Sequence, residues 1–149
     1  MFSLNNKIKD PYLKPVIFGG LLTTLLSVIF APGIFLWSII GGYVTVRVSN
    51  RATGGIVSIL DSLFLGLFSG ILGGVCLDIL TIVSFQSSES QRILIRTLKA
   101  NWPKDTAPIP NFVDILPTLF LTTSILVVII TILFSIVGSY LGVLISRRK

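Results

Sequence analysis

Residues 15–46 read PVIFGGLLTTLLSVIFAPGIFLWSIIGGYVTV, a run of 32 positions without a charged side chain. As one helix rising ~1.5 Å per residue it would be about 48 Å long, against a hydrocarbon core of about 30 Å. Ala31-Pro32-Gly33 lies near its middle. Proline removes a helix donor and glycine favours a turn, so the tripeptide punctuates the run. The stretch therefore reads as two short helices, 15–31 and 34–50, joined by a tight hairpin.

Two more charge-poor stretches follow, 62–77 (extendable to 85 past Asp78) and 115–146. The second contains proline only at Pro117, a position expected to fall in the first helical turn, where proline is tolerated. It reads as one long helix, tilted or projecting beyond the bilayer. The expected fold is all-α: a polytopic membrane protein with one transmembrane domain and a four-helix bundle. Its spans are 15–31, 34–50, 56–85 and 115–146, with an outer segment over 86–113.

Composition agrees. Of 149 residues 52% are hydrophobic and 12% charged, where a soluble domain carries about 25% charged residues. Half the usual charge cannot solvate a globule of this size. The chain has no His and one Cys, which removes most metal sites, Cys–His nucleophile pairs and disulfide frameworks. No cofactor, metal or catalytic set is expected, and an enzyme is the least expected reading.

Lys and Arg placement orients the spans. Lys7, Lys9, Lys14, Arg47, Arg51, Arg147, Arg148 and Lys149 share one face of a four-span protein. Arg92, Arg96, Lys99 and Lys104 fall on the other, offset by Glu89 and Asp105. Both termini are thus expected in the cytoplasm. Tyr12, Tyr43 and Tyr140 sit near the inner interface and Trp37 and Trp102 near the outer. A cleavable signal peptide is disfavoured, because a cut after Ala31 would place Ile29 at minus three and proline directly after. The net charge of +6 is accounted for by this topology and requires no nucleic-acid partner. The expected partners are the lipid bilayer and a second copy or another membrane protein.

In the outer segment, Ser88-Glu89-Ser90-Gln91 has a capping-box pattern. Behind it Leu94, Ile95, Leu98 and Trp102 recur at helical spacing, while Arg92, Arg96 and Lys99 point elsewhere. A short cationic amphipathic helix in the outer interface fits. It serves either as a docking surface for anionic lipid or a partner, or as a connector with its apolar side on the bundle. Pro103, Pro108 and Pro110 then keep the chain extended as far as Asn111 or Asp114, either a cap for the last span.

Span three carries the strongest local pattern: Ser58, Ser62, Gly66, Gly70, Gly74 and Asp78 at intervals of four. Such a stripe winds slowly on a helix and lets another backbone approach, where lipid offers no hydrophobic drive between helices. Counterparts are Gly19, Thr23, Ser27 and Ala31 in span one, and Gly41, Thr45 and Ser49 in span two. Span four has Thr131, Ser135 and Ser139, and Gly138 with Gly142. These residues specify helix packing, either within one bundle or between copies; a glycine-lined pathway is the third reading.

Charges within spans are functional candidates by default, here Asp61, Asp78, Arg47 and Arg51. Asp61 and Asp78 are 17 residues apart, ~25 Å along a helix, so each is expected near an opposite interface. Asp61 is expected to pair with Arg47 or Arg51. Arg92, Arg96 or hydroxyls of span four are the expected partners of Asp78. Cys76 reads as a small buried hydrophobe.

Lys14-Pro15, Gly19-Gly20, the Pro32-Gly33 hairpin, Gly41-Gly42, Gly54-Gly55, Gly66/Gly70/Gly73/Gly74 and Gly138-x-x-x-Gly142 before a basic end form a layout. This layout resembles small glycine-rich four-span membrane proteins of archaea and some bacteria, a domain-of-unknown-function family. The resemblance covers spans one to three and the end of span four, while 86–113 is longer and more basic than the family pattern. It implies a fold and a prokaryotic cell membrane, and no activity. The leading expectation for function is a structural or accessory membrane protein that self-associates or joins a larger membrane assembly. The alternative is a small oligomeric transporter or channel using Asp78 or Asp61. A holin-like lesion former ranks third, on size and the basic C-terminal end.

Overall fold

The computed structural model describes residues 12–85, 87–101 and 112–148, with side chains from 114 onward in the last stretch. Trp102, Pro103, Lys104, Asp105, Pro108, Pro110 and Asn111, with Lys7, Lys9 and Lys149, lie outside the described residues. Among the described residues the only regular elements are helices: α1 (Leu13–Ile29), a 3-10 turn (Ala31–Gly33), α2 (Ile34–Thr53), α3 (Ile59–Phe85), α4 (Ser88–Ala100) and α5 (Phe112–Arg147). Three of them, α2 with the preceding 3-10 turn, α3 and α5, are long and apolar enough to cross a membrane. The apolar α1 has 17 residues, about 25 Å at the usual rise.

The break between α1 and α2 falls where proline and glycine place it. Gly33 sits in the tight turn, and a Cβ there would stand 2.5 Å from Trp37 Nε1. That indole donates to the Phe30 carbonyl at 3.0 Å, which also accepts from the Gly33 N–H at 3.0 Å, so the carbonyl at the end of α1 is satisfied within the turn. α2 stops at Gly54, whose left-handed φ of 68° is the usual helix terminator. Ala31, expected to continue the stripe of α1, belongs to the 3-10 turn and is exposed.

α1 packs on α2 and α3, and α5 packs on the same two helices, while α2 and α3 also touch each other. The two central helices thus each pack against three others, α1, α5 and one another. Direction follows from the residue pairs. Gly20 lies on Ser69 and Thr24 on Gly73, so α1 and α3 run parallel. Gly66 lies on Ile136 and Gly74 on Val128, so α3 and α5 run antiparallel. Gly42 meets Ser135 and Asn50 meets Ser146, so α2 and α5 are parallel.

The interior inverts that of a soluble domain. Among the described residues the buried apolar side chains are Val46, Val57, Leu65 and Val143, against eleven buried Ser and Thr. Leu25, Leu60, Phe68, Leu121 and Leu126 are all more than half exposed.

Three local expectations are corrected. α5 begins at Phe112, so Pro117 stands inside the helix rather than in its first turn, and Asp114 lies in that turn rather than capping it. Ser87, not Ser88, is the N-cap of α4, without a side-chain cap bond, and Gln91 donates instead to the Phe85 carbonyl at 3.0 Å. No residue of α4 is buried, and its main neighbour is the end of α3. Leu94, Ile95 and Leu98 are half-buried, and Arg92, Arg96 and Lys99 are exposed.

Candidate functional site

The polar and small residues of the sequence meet in the seams. Gly66, Gly70 and Gly74 all face α5: a Cβ on each would stand 2.8, 2.6 and 3.0 Å from the Cα atoms of Ile136, Ile132 and Val128. Ser62, one turn earlier on the same face, is fully buried and donates to the Ile59 carbonyl at 2.7 Å. On the other side of α5, Gly138 lies on the Ile39 carbonyl and Gly42 on the Ser135 carbonyl, with no room for a methyl group at either. Gly142 stands against Val46 and the Tyr43 carbonyl.

Hydroxyls line the same seams. A threonine or serine inside a helix usually turns back to its i−4 carbonyl, and several here reach a second helix as well. Thr24 Oγ1 is shared between the Gly20 carbonyl at 3.0 Å and the Gly73 carbonyl of α3 at 3.2 Å. Thr45 Oγ1 donates to Gly41 at 2.8 Å and lies 3.1 Å from the Ser69 hydroxyl. Ser139 donates across to the Gly42 carbonyl of α2 at 3.0 Å. The hydroxyls of Ser27, Ser49 and Ser135 are buried without a partner among the described residues, so small volume is what packing uses at those positions.

The charged candidates are dispersed. Asp61 is exposed in the first turn of α3. Its carboxylate accepts from Ser58 Oγ at 2.7 Å, while its own N–H donates to that hydroxyl at 3.1 Å. This reciprocal cap replaces the expected pairing with Arg47 or Arg51. Arg47 Nη1 donates to the Tyr43 hydroxyl at 2.9 Å, and Arg51 is exposed in the last turn of α2. Asp78 is half-buried and hydrogen-bonded with the Ser124 side chain of α5. Of its expected partners, a hydroxyl of the last helix is the one present. Asp61 and Asp78 are not brought together, and among the described residues no group of three acidic, His or Cys side chains could hold a metal ion.

No protein-family model, curated protein or solved structure matches this chain.

Two features escaped the sequence reading. Leu65, Ser69 and Gly73 form a second buried stripe on α3, facing α1 and α2. The period-four spacing of Ser69 and Gly73 carries that signal, but it is masked by the longer stripe beside it. Asn50 is the other. Its Oδ1 accepts from the Val57 N–H at 2.8 Å and its Nδ2 donates to Ser146 Oγ at 3.1 Å. One amide thereby joins the end of α2, the link to α3 and the end of α5. On the outer surface, a groove of about 610 Å³ runs between α1 and α3, lined by Ile17, Phe64, Phe68 and Val75, with Tyr12 and Asp61 at one end.

Proposed function

We propose that the chain is an integral membrane protein with four spans, α1, α2, α3 and α5, and both ends in the cytoplasm. It acts as a structural or accessory component that associates with itself or with a larger membrane assembly. The observation that carries this reading is the inverted interior. Small and hydroxyl residues fill the seams while leucine, isoleucine and phenylalanine face outward, an arrangement suited to lipid and costly in water. The shorter α1 fits as a span because it lies alongside α2 and α3 through most of its length; local thinning of the bilayer offsets its missing few ångströms. α4, with exposed cations and a half-buried apolar side, is suited to lie in the outer interface.

Accessory function is favoured over transport because the stripes of all four helices close on one another and the Asp78 carboxylate is hydrogen-bonded with the Ser124 side chain of α5. Association then has to use the outer apolar faces. The resemblance to small glycine-rich four-span proteins supports a prokaryotic cell membrane as the location. Pull-down from membranes solubilised in mild detergent tests the reading: a second copy or a larger membrane complex should co-purify. A solitary monomer whose reconstitution confers ion or solute flux would replace it with the transporter alternative. In intact cells, impermeant labels should reach neither terminus but should reach residue 99; a label on one end alone contradicts four spans.

A further inference from the structure

We propose that the arginine-rich end made by the last turns of α2 and α5 binds the headgroup of an anionic phospholipid; the inference rests on the membrane reading above. Because α2 and α5 are parallel, their C-terminal turns finish on the same side of the bundle, fastened by the Asn50–Ser146 hydrogen bond at 3.1 Å. Arg51 follows one member of that pair and Arg147 the other. Arg47 lies one turn before Arg51, and Arg148 is the next residue on α5. All four are exposed.

Nothing on these two helices neutralises them. α2 contains no acidic residue, and Asp114, the one acid of α5, lies at its opposite end. Asp61, the acid of α3 at this side, accepts from Ser58 and is one carboxylate against the four arginines. α1 contributes a further exposed cation, Lys14. Guanidinium forks match phosphate oxygens in pairs, which suits arginine to this ligand. Depth argues for a lipid rather than an acidic protein. Arg47 is held to the Tyr43 hydroxyl, a full turn inside the end of α2, at the level where tyrosines and headgroups meet. Basic side chains at such a boundary are the usual receptors for anionic headgroups.

The test titrates detergent-solubilised protein with phosphatidylglycerol or phosphatidylcholine and counts retained lipids by native mass spectrometry. Phosphatidylglycerol should be retained on the order of tenfold or more in preference, an advantage that shrinks with added salt. Arg47→Gln/Arg51→Gln/Arg147→Gln/Arg148→Gln should abolish the preference. Arg92→Gln/Arg96→Gln/Lys99→Gln on α4 should leave it intact. If the quadruple variant loses its helix content, Arg147→Gln/Arg148→Gln in the exposed last turn replaces it and should weaken the preference severalfold. Equal retention of both lipids, or a preference that survives these changes, overturns the site. So does displacement of the lipid by equimolar inorganic phosphate or by an acidic peptide. A chain without the preference that still requires detergent loses this site alone, whereas one soluble without detergent loses the membrane reading too.

Discussion

The seam between α3 and α5 and the seam between α1 and α3 share one helix and are closed by different means. At the α5 seam, glycines Gly66, Gly70 and Gly74 meet Cα atoms, so backbone lies on backbone. At the α1 seam, Gly73 faces Thr23 and the Gly20 carbonyl at 3.3 Å, Gly20 faces the Leu72 side chain first and the Ser69 carbonyl at 3.1 Å, and a shared threonine hydroxyl bridges the helices. A side chain yields where a backbone does not. The first kind of contact therefore fixes helix separation, and the second leaves an open groove on its outer side.

Substitutions should rank accordingly. The largest effect is expected at the α2–α5 contact, the tightest backbone seam of all. Gly42→Ala drives a methyl into the Ser135 carbonyl and Gly138→Ala into that of Ile39. Each should lower unfolding stability in bicelles by about 3 kcal/mol, the upper part of the range for overpacking. A loss under about 1 kcal/mol would show that this seam relaxes like the other. At Gly73, a Cβ needs its neighbours to give only a few tenths of an ångström, and alanine gains about 1 kcal/mol of helix propensity. Gly73→Ala is therefore expected to change stability by no more than about 0.5 kcal/mol, and a loss comparable to Gly42→Ala would erase the distinction between seams. Smallest is Gly55→Ala in the α2–α3 link. There a Cβ meets nothing within 4 Å and φ is not positive. Neutral to about 0.4 kcal/mol stabilising is expected, from reduced freedom of the unfolded chain.

The helices themselves were legible because their determinants are local. Pro32 and Gly33 break the first apolar run, and Gly54 stops α2 through its own backbone preference. Period four in Ser62–Gly74 announced a close approach. It did not announce the partner, because Gly19, Gly41 and Gly138 offer equivalent small surfaces and one-dimensional spacing does not choose among them. Asn50 stayed hidden for a related reason: its three-way role exists only once residue 57 and residue 146 arrive beside it. The Asp61 pairing failed because Ser58, three residues earlier, satisfies the carboxylate at no cost in loop order, whereas Arg47 and Arg51 lie on another helix. Pro117 was misplaced by a helix that begins earlier than its apolar run.

Small interior residues, not large outward ones, hold this bundle together. The most direct measurement is the unfolding free energy, in one bicelle composition, of Gly70→Ala beside Phe68→Ala. Gly70 has Ile132 Cα 2.6 Å from the new methyl, while the Phe68 ring is 55% exposed. Adding one carbon at Gly70 should cost about 2 kcal/mol. Deleting the whole ring of Phe68 should cost less than about 1 kcal/mol, since lipid replaces what the ring touched. A Phe68→Ala loss of about 3 kcal/mol or more, as for a buried aromatic, with Gly70→Ala near zero, would contradict the account.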